Sequence, residues 1–145
     1  MTEIKRLIKV KADAQTIWQL MDMRKWTEFS QIFTEIQYPT GEMQVGQKAK
    51  ITAGPGEVKV NYTATITELE PEKRLKYERS GGPLPGTSEW QLKARNDLSE
   101  ISYNNTFFHE LAEPVKISMA QTMDKFLAEI RDTAEKMTNG NGKRQ

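Results

Sequence analysis

The chain has 145 residues, 37% apolar and 28% charged, which fits one domain with one core; no apolar run approaches the ~20 residues of a membrane-spanning helix. Its start, Met1 to Arg6, mixes charge with apolar residues and has no secretory core, so a cytoplasmic protein without stable membrane insertion is expected. No cysteine and a single histidine exclude disulfides, thiolate chemistry and cysteine-ligated metals, and no cofactor or metal is expected; 21 basic against 20 acidic residues, interleaved along the chain, give no basic face for nucleic acid.

Alternation over Ile4 to Val10 predicts a first strand. Asp13 is placed to cap a short amphipathic helix whose stripe is Ile17, Leu20 and Met21 beside Trp18. A second short helix or turn spans about Lys25 to Gln31 and carries Trp26 and Phe29 at i and i+3. The period then changes to two: Thr34 to Tyr38, Gln47 to Ala53, Glu57 to Leu69, Arg74 to Ser80, Thr87 to Arg95 and Glu100 to Leu111 read as strands. Gly- and Pro-rich turns separate them, and such short connections imply antiparallel neighbours. In the longest strand Val58, Val60, Tyr62, Ala64 and Ile66 share one face, and Lys59, Asn61, Thr63, Thr65 and Thr67 the other.

Pro114 suits the first position of a last helix, in which Val115, Met119, Thr122, Met123, Phe126, Ile130 and Met137 recur at three- and four-residue steps. Asn139-Gly140-Asn141-Gly142 reads as its end, and residues 138–145 as a disordered tail after a single domain over residues 1–137.

Ala12-Asp13-Ala14-Gln15-Thr16-Ile17-Trp18, then Asp22 and Trp26, Val45-Gly46, Glu68-Leu69-Glu70-Pro71 with Arg74-Leu75 and Tyr77, and Trp90 with Leu92 follow one another in an order that resembles the START-like (SRPBCC) superfamily. That superfamily includes birch-pollen-allergen-like proteins, polyketide cyclases or dehydratases and lipid-transfer domains, and the likeness runs from about Ile4 to Met137. The resemblance implies an α+β helix-grip fold: a curved seven-stranded antiparallel sheet wrapped around a long C-terminal helix, with two short helices after strand one. It also implies a mostly apolar cavity for a small hydrophobic molecule between sheet and helix. No catalytic set is carried over, because no motif here matches one. The closing glycine-tryptophan segment of the heat-shock-chaperone-activator branch is missing.

Within that architecture Tyr62, Tyr77, Trp90, Tyr103, Phe107, Met119, Met123 and Phe126 are assigned to the inward face, with Trp26 and Phe29 where the short helices meet the sheet. They are read either as an ordinary core or as a cavity lining; the polar tips of the tyrosines and tryptophan need partners when buried, which suits a lining. Arg79 follows Leu75 and Tyr77 by alternation and enters the same space, where it would neutralise a ligand carboxylate or enolate. Glu89 alternates opposite Trp90 and faces solvent.

His109 is the natural acid–base candidate, and counting by twos from Ile101 points it inward at the cavity rim, unless Phe107-Phe108 hides a bulge. The alternative is a structural rim histidine. Gly54-Pro55-Gly56 and Ser80 to Gly86 form either plain turns or a portal; the latter lacks the Lys-Ser/Thr and helix of a P-loop. Three functions follow: binding of a small hydrophobic or aromatic ligand, a cyclase, aromatase or dehydratase using His109 or a tyrosine, or a protein-interaction module with a filled core. Assembly state is left open.

Overall fold

The computed structural model describes residues 1–143, and the side chains of residues 1–139. Seven antiparallel strands form one sheet: β1 (Thr2–Val10), β2 (Phe33–Gln37), β3 (Lys48–Ala53), β4 (Val60–Glu70), β5 (Arg74–Ser80), β6 (Gly86–Arg95) and β7 (Leu98–Phe107), in the spatial order β1-β7-β6-β5-β4-β3-β2. Every step from β2 to β7 is to a neighbour in sequence, as the short turns require. β1 and β2 lie at opposite edges, and the chain crosses between them through α1 (Ala14–Met21), one 3-10 turn (Met23–Lys25) and α2 (Trp26–Phe29). α3 (Glu113–Lys143) closes the chain.

Local chemistry sets these boundaries. Asp13 Oδ1 accepts from the Thr16 amide at 2.8 Å, satisfying a first-turn donor of α1, and Asp22 caps the following turn by accepting from the Arg24 amide at 2.9 Å. β4 starts at Val60 instead of Glu57, because Gly54 to Lys59 fold into a turn closed by Val58 N–H donating to the Pro55 carbonyl at 3.0 Å. Gly54 sits at φ +151°, and a Cβ there would overlap the Val58 carbonyl oxygen. β4 also carries a bulge: Ile66 pairs with Tyr77, yet Glu68 pairs with Lys76, so Ile66 and Leu69 both reach the core side. The helical backbone of α3 runs through Asn139 to Gly142, where a stop was expected; glycine inside a helix costs only ~1 kcal/mol against alanine. Of the expected tail, Arg144 and Gln145 lie outside the described residues.

Three polar clamps fix the middle and later turns of α3. Asp124 pairs with Arg6 of β1 at 3.1 Å, Glu129 accepts from Ser30 Oγ at 2.6 Å and the Gln31 amide at 2.8 Å, and Glu135 accepts from the Lys11 amide at 2.9 Å. Leu127, Ile130 and Ala134 of this stretch are buried in one cluster with Ile17, Met21 and Trp26. Here the interior is solid. Trp26 is its centre, donating Nε1–H to the Leu20 carbonyl at 2.9 Å, with Phe33 at 4.6 Å, Phe126 at 5.2 Å and Trp90 at 6.0 Å between ring centroids.

Candidate functional site

The turns of α3 ahead of the clamps roof a cavity of about 330 Å³ over the sheet. The alternation of β5, β6 and β7 builds its sheet side in cross-strand rows. One row reads Ala64, Arg79, Gly86, Phe107 and the next Ile66, Tyr77, Ser88, Asn105, and of these Arg79, Phe107, Ser88 and Asn105 line the cavity. Ile32, Phe33, Val60, Tyr62, Tyr103, Phe126, Met123 and Met119 close the sides and roof. Thr122 and Ser118, also in the roof, are linked by Thr122 Oγ1 donating to the Ser118 carbonyl at 2.8 Å. Pro55 and Val58 from the β3–β4 turn, Pro83 and Leu84 from the β5–β6 turn, and Pro114 and Val115 from the start of α3 also line it. Val58 is 70% exposed, so this part of the lining opens to solvent. The β3–β4 turn is held there by Lys59 Nζ, which donates to the Gly54 carbonyl at 2.7 Å and the Gln31 carbonyl at 3.1 Å.

Arg79 is the only charged residue among the described residues that line the cavity. It is 6% exposed. Nη2 donates to the Thr106 carbonyl at 2.9 Å, Nη1 reaches Asn105 Oδ1 only at 3.4 Å, and Nε is buried without an acceptor. Asn105 Oδ1 is already engaged by Ser88 Oγ at 2.5 Å. The guanidinium carbon lies 4.6 Å from the centroid of the Phe107 ring. Gly86 makes this seat possible: a Cβ there would stand 2.5 Å from Arg79 Nη2 and overlap the Thr106 carbonyl oxygen.

Two phenols, Tyr62 and Tyr103, complete the polar part of the lining. Burial pushes the Tyr62, Tyr77 and Tyr103 hydroxyls above the usual tyrosine range, most plainly for Tyr62 and Tyr103. The positive charge of Arg79 opposes the shift in all three. Tyr62 keeps some open surface as a residue, so the shift reflects where its hydroxyl lies. All three phenols are neutral hydrogen-bonding groups at ordinary pH.

Seven of the side chains singled out in the sequence meet in this space: Tyr62, Arg79, Tyr103, Phe107, Met119, Met123 and Phe126. Four do not line it. Trp26, Tyr77 and Trp90 are buried in the solid half, where Trp90 stacks on Tyr103 at 3.8 Å, and Phe29 packs partly exposed against Phe126 at 6.1 Å. Their inward phase is as expected, but the volume before them is filled by other rings.

His109 is a correction. β7 ends at Phe107, whose partners are Thr2 on one side and Gly86 on the other, the first residues of their strands. With no ladder left on either side the chain turns toward α3, and His109 is exposed and absent from the cavity wall. The two-residue count that pointed it inward does not apply past the strand end. Glu89 faces away and pairs with Arg74.

Ser88, Asn105 and Gly86 were not singled out, although Ser88 and Asn105 share the phase of Trp90 and Phe107 and face each other across the β6–β7 ladder. Their signal was the alternation itself. Gly86 was hidden inside a turn-like run of glycine and proline.

No protein-family model matches the chain, and no curated protein matches it. Solved structures do. The ZhuI aromatase/cyclase from Streptomyces sp. R1128 matches with a TM-score of 0.80 at 13% identity, covering 94% of this chain and 95% of that one. The Aha1 dimer from Colwellia psychrerythraea matches at 0.72 and 19% identity, covering 93% and 97%. A START superfamily protein from Mycobacterium smegmatis matches at 0.73 and 10% identity, covering 93% and 98%. Such low identities carry the architecture and not the chemistry. Sheet order, the two short helices and the long closing helix give this chain the helix-grip fold that these structures share.

Proposed function

We propose that the protein captures a small, largely apolar molecule between its sheet and α3. The observation that carries this reading is the cavity of about 330 Å³ with apolar walls and one polar cluster, within the range of pockets that enclose small organic molecules. Tyr62, Phe107, Met119, Met123 and Phe126 supply apolar surface, and unbranched methionines adapt to irregular ligand shapes. Ser88, Asn105, Tyr103 and Arg79 supply orientation. Similarity of fold to a START superfamily protein and to an aromatase/cyclase supports a hydrophobic occupant. An open cavity counts against the filled-core interaction module.

A neutral apolar fluorophore such as N-phenyl-naphthylamine tests the reading. Saturable one-to-one fluorescence enhancement is expected, together with retention of a co-purified molecule in native mass spectrometry. Absence of saturable binding, with only apo protein recovered, would overturn it.

The cyclase, aromatase or dehydratase reading is favoured by one observation, the cation beside phenols in a space that can fold a reactive chain. Among the described residues the lining holds no base for it: His109 is outside, and phenols held protonated by burial donate hydrogen bonds but do not accept protons near neutrality. Turnover of a polyketide substrate that disappears in His109→Gln would reverse this ranking.

A further inference from the structure

We propose that the cavity's ligand is a monoanion, an apolar chain or ring ending in a carboxylate, and that Arg79 is the group that receives this end. The inference rests on the ligand-binding reading above and names the chemical class. Among the described residues, Arg79 carries the single formal charge of the cavity lining. No carboxylate lies in ion-pair range of it among the described residues. A guanidinium is a permanent cation, and burying one without an anion is costly unless the site's own occupant supplies the opposite charge.

The fork is also under-used. Its short bond is to one backbone carbonyl at 2.9 Å, its contact with Asn105 is long at 3.4 Å to an oxygen that Ser88 already holds, and Nε has no acceptor. A buried N–H left without an acceptor is rare in folded proteins, and a water or a ligand oxygen entering the cavity would satisfy this one. The seat is shaped for the guanidinium: Gly86 leaves the room, and Phe107 provides the ring on which it rests.

Charge balance favours carboxylate over phosphate. One guanidinium neutralises one negative charge, and the remaining lining offers hydroxyls, an amide and apolar walls, so a phosphate dianion would stay half-compensated. The planar carboxylate matches the planar fork, and its second oxygen is left for the neutral phenols of Tyr62 or Tyr103.

The experiment compares matched pairs by calorimetric titration of the full chain: octanoate against octanol, and naphthoate against naphthylmethanol. In the wild-type protein the carboxylate of at least one pair should bind about tenfold or more tighter than its alcohol, as hydrogen bonds to a charged partner imply. Arg79→Met should abolish that preference, and Arg79→Lys should restore part of it. Alcohols that bind as well as their carboxylates overturn the inference and leave the ligand-binding reading intact. If neither member of either pair nor the neutral fluorophore binds, the ligand-binding reading itself fails. Should Arg79→Met not fold, the wild-type comparison alone decides. A preference for carboxylate that persists in folded Arg79→Met places the anion elsewhere and also overturns the inference.

Discussion

Gly86 is the residue on which the placement of Arg79 depends. Arg79, Gly86 and Phe107 stand in one cross-strand row, and the missing side chain of the middle member lets the guanidinium lie across toward the ring of the last. Gly86→Ala should therefore lower stability by about 1–3 kcal/mol, the usual cost of forcing extra volume into a packed position. Urea denaturation checks this, and a variant as stable as wild type would show that the β6–β7 ladder gives way easily. The inward phase of Arg79 was legible, because two-residue alternation from Leu75 through Tyr77 survives to the end of β5. The role of Gly86 was not, since a glycine beside Pro83 and Pro85 reads equally well as punctuation. His109 shows the converse: alternation stays meaningful only while a neighbouring strand holds the register, and Thr2 and Gly86 exhaust it at Phe107.

At the scale of elements, α3 does two jobs with one stripe. Met119 and Met123 continue the same three- and four-residue spacing as Phe126 and Ile130, yet the former pair lines the cavity and Ile130 is fully packed. Periodicity identifies which side of a helix faces inward, but it carries no information on whether the facing layer is near enough to fill the space. The change along α3 comes from partners distant in sequence, Trp26 and Ile17 on the short helices, which pack its later turns. Met119→Trp should occupy part of the cavity, weakening binding of the neutral fluorophore about tenfold or more while changing stability by less than about 1.5 kcal/mol, because the added ring enters existing space. Fluorescence titration and thermal melting measure the two effects. Unaltered affinity would mean that the fluorophore sits somewhere else.

For the whole molecule, the division into a solid half around Trp26 and a hollow half beside Arg79 sets the response to alkali. Tyr62, Tyr77 and Tyr103 have folded-state pKa values above the unfolded value of about 10, so the unfolded chain releases their protons first. Stability is then complete below about pH 10 and falls as pH rises beyond it. Thermal melts across this range should show a shallower decline for Tyr62→Phe or Tyr103→Phe than for wild type; equal slopes would mean that these phenols ionise freely in the folded protein. Sheet order and the long helix were legible from turn chemistry and period, whereas the boundary between solid and hollow interior depends on ring-to-ring distances that no local pattern encodes.

The bulge at Thr67 divides β4 into two reading frames, one phased on Ile66 and the other on Leu69. The offset keeps Glu68 on the outer surface near Arg74 at 3.5 Å and Lys76 at 3.6 Å while Leu69 packs below. Length is therefore as constrained as composition in this hairpin: a chain shortened by one residue there would have to choose between drowning an acid in oil and leaving a leucine in water, whereas trading one leucine for another aliphatic at the same place would go almost unnoticed.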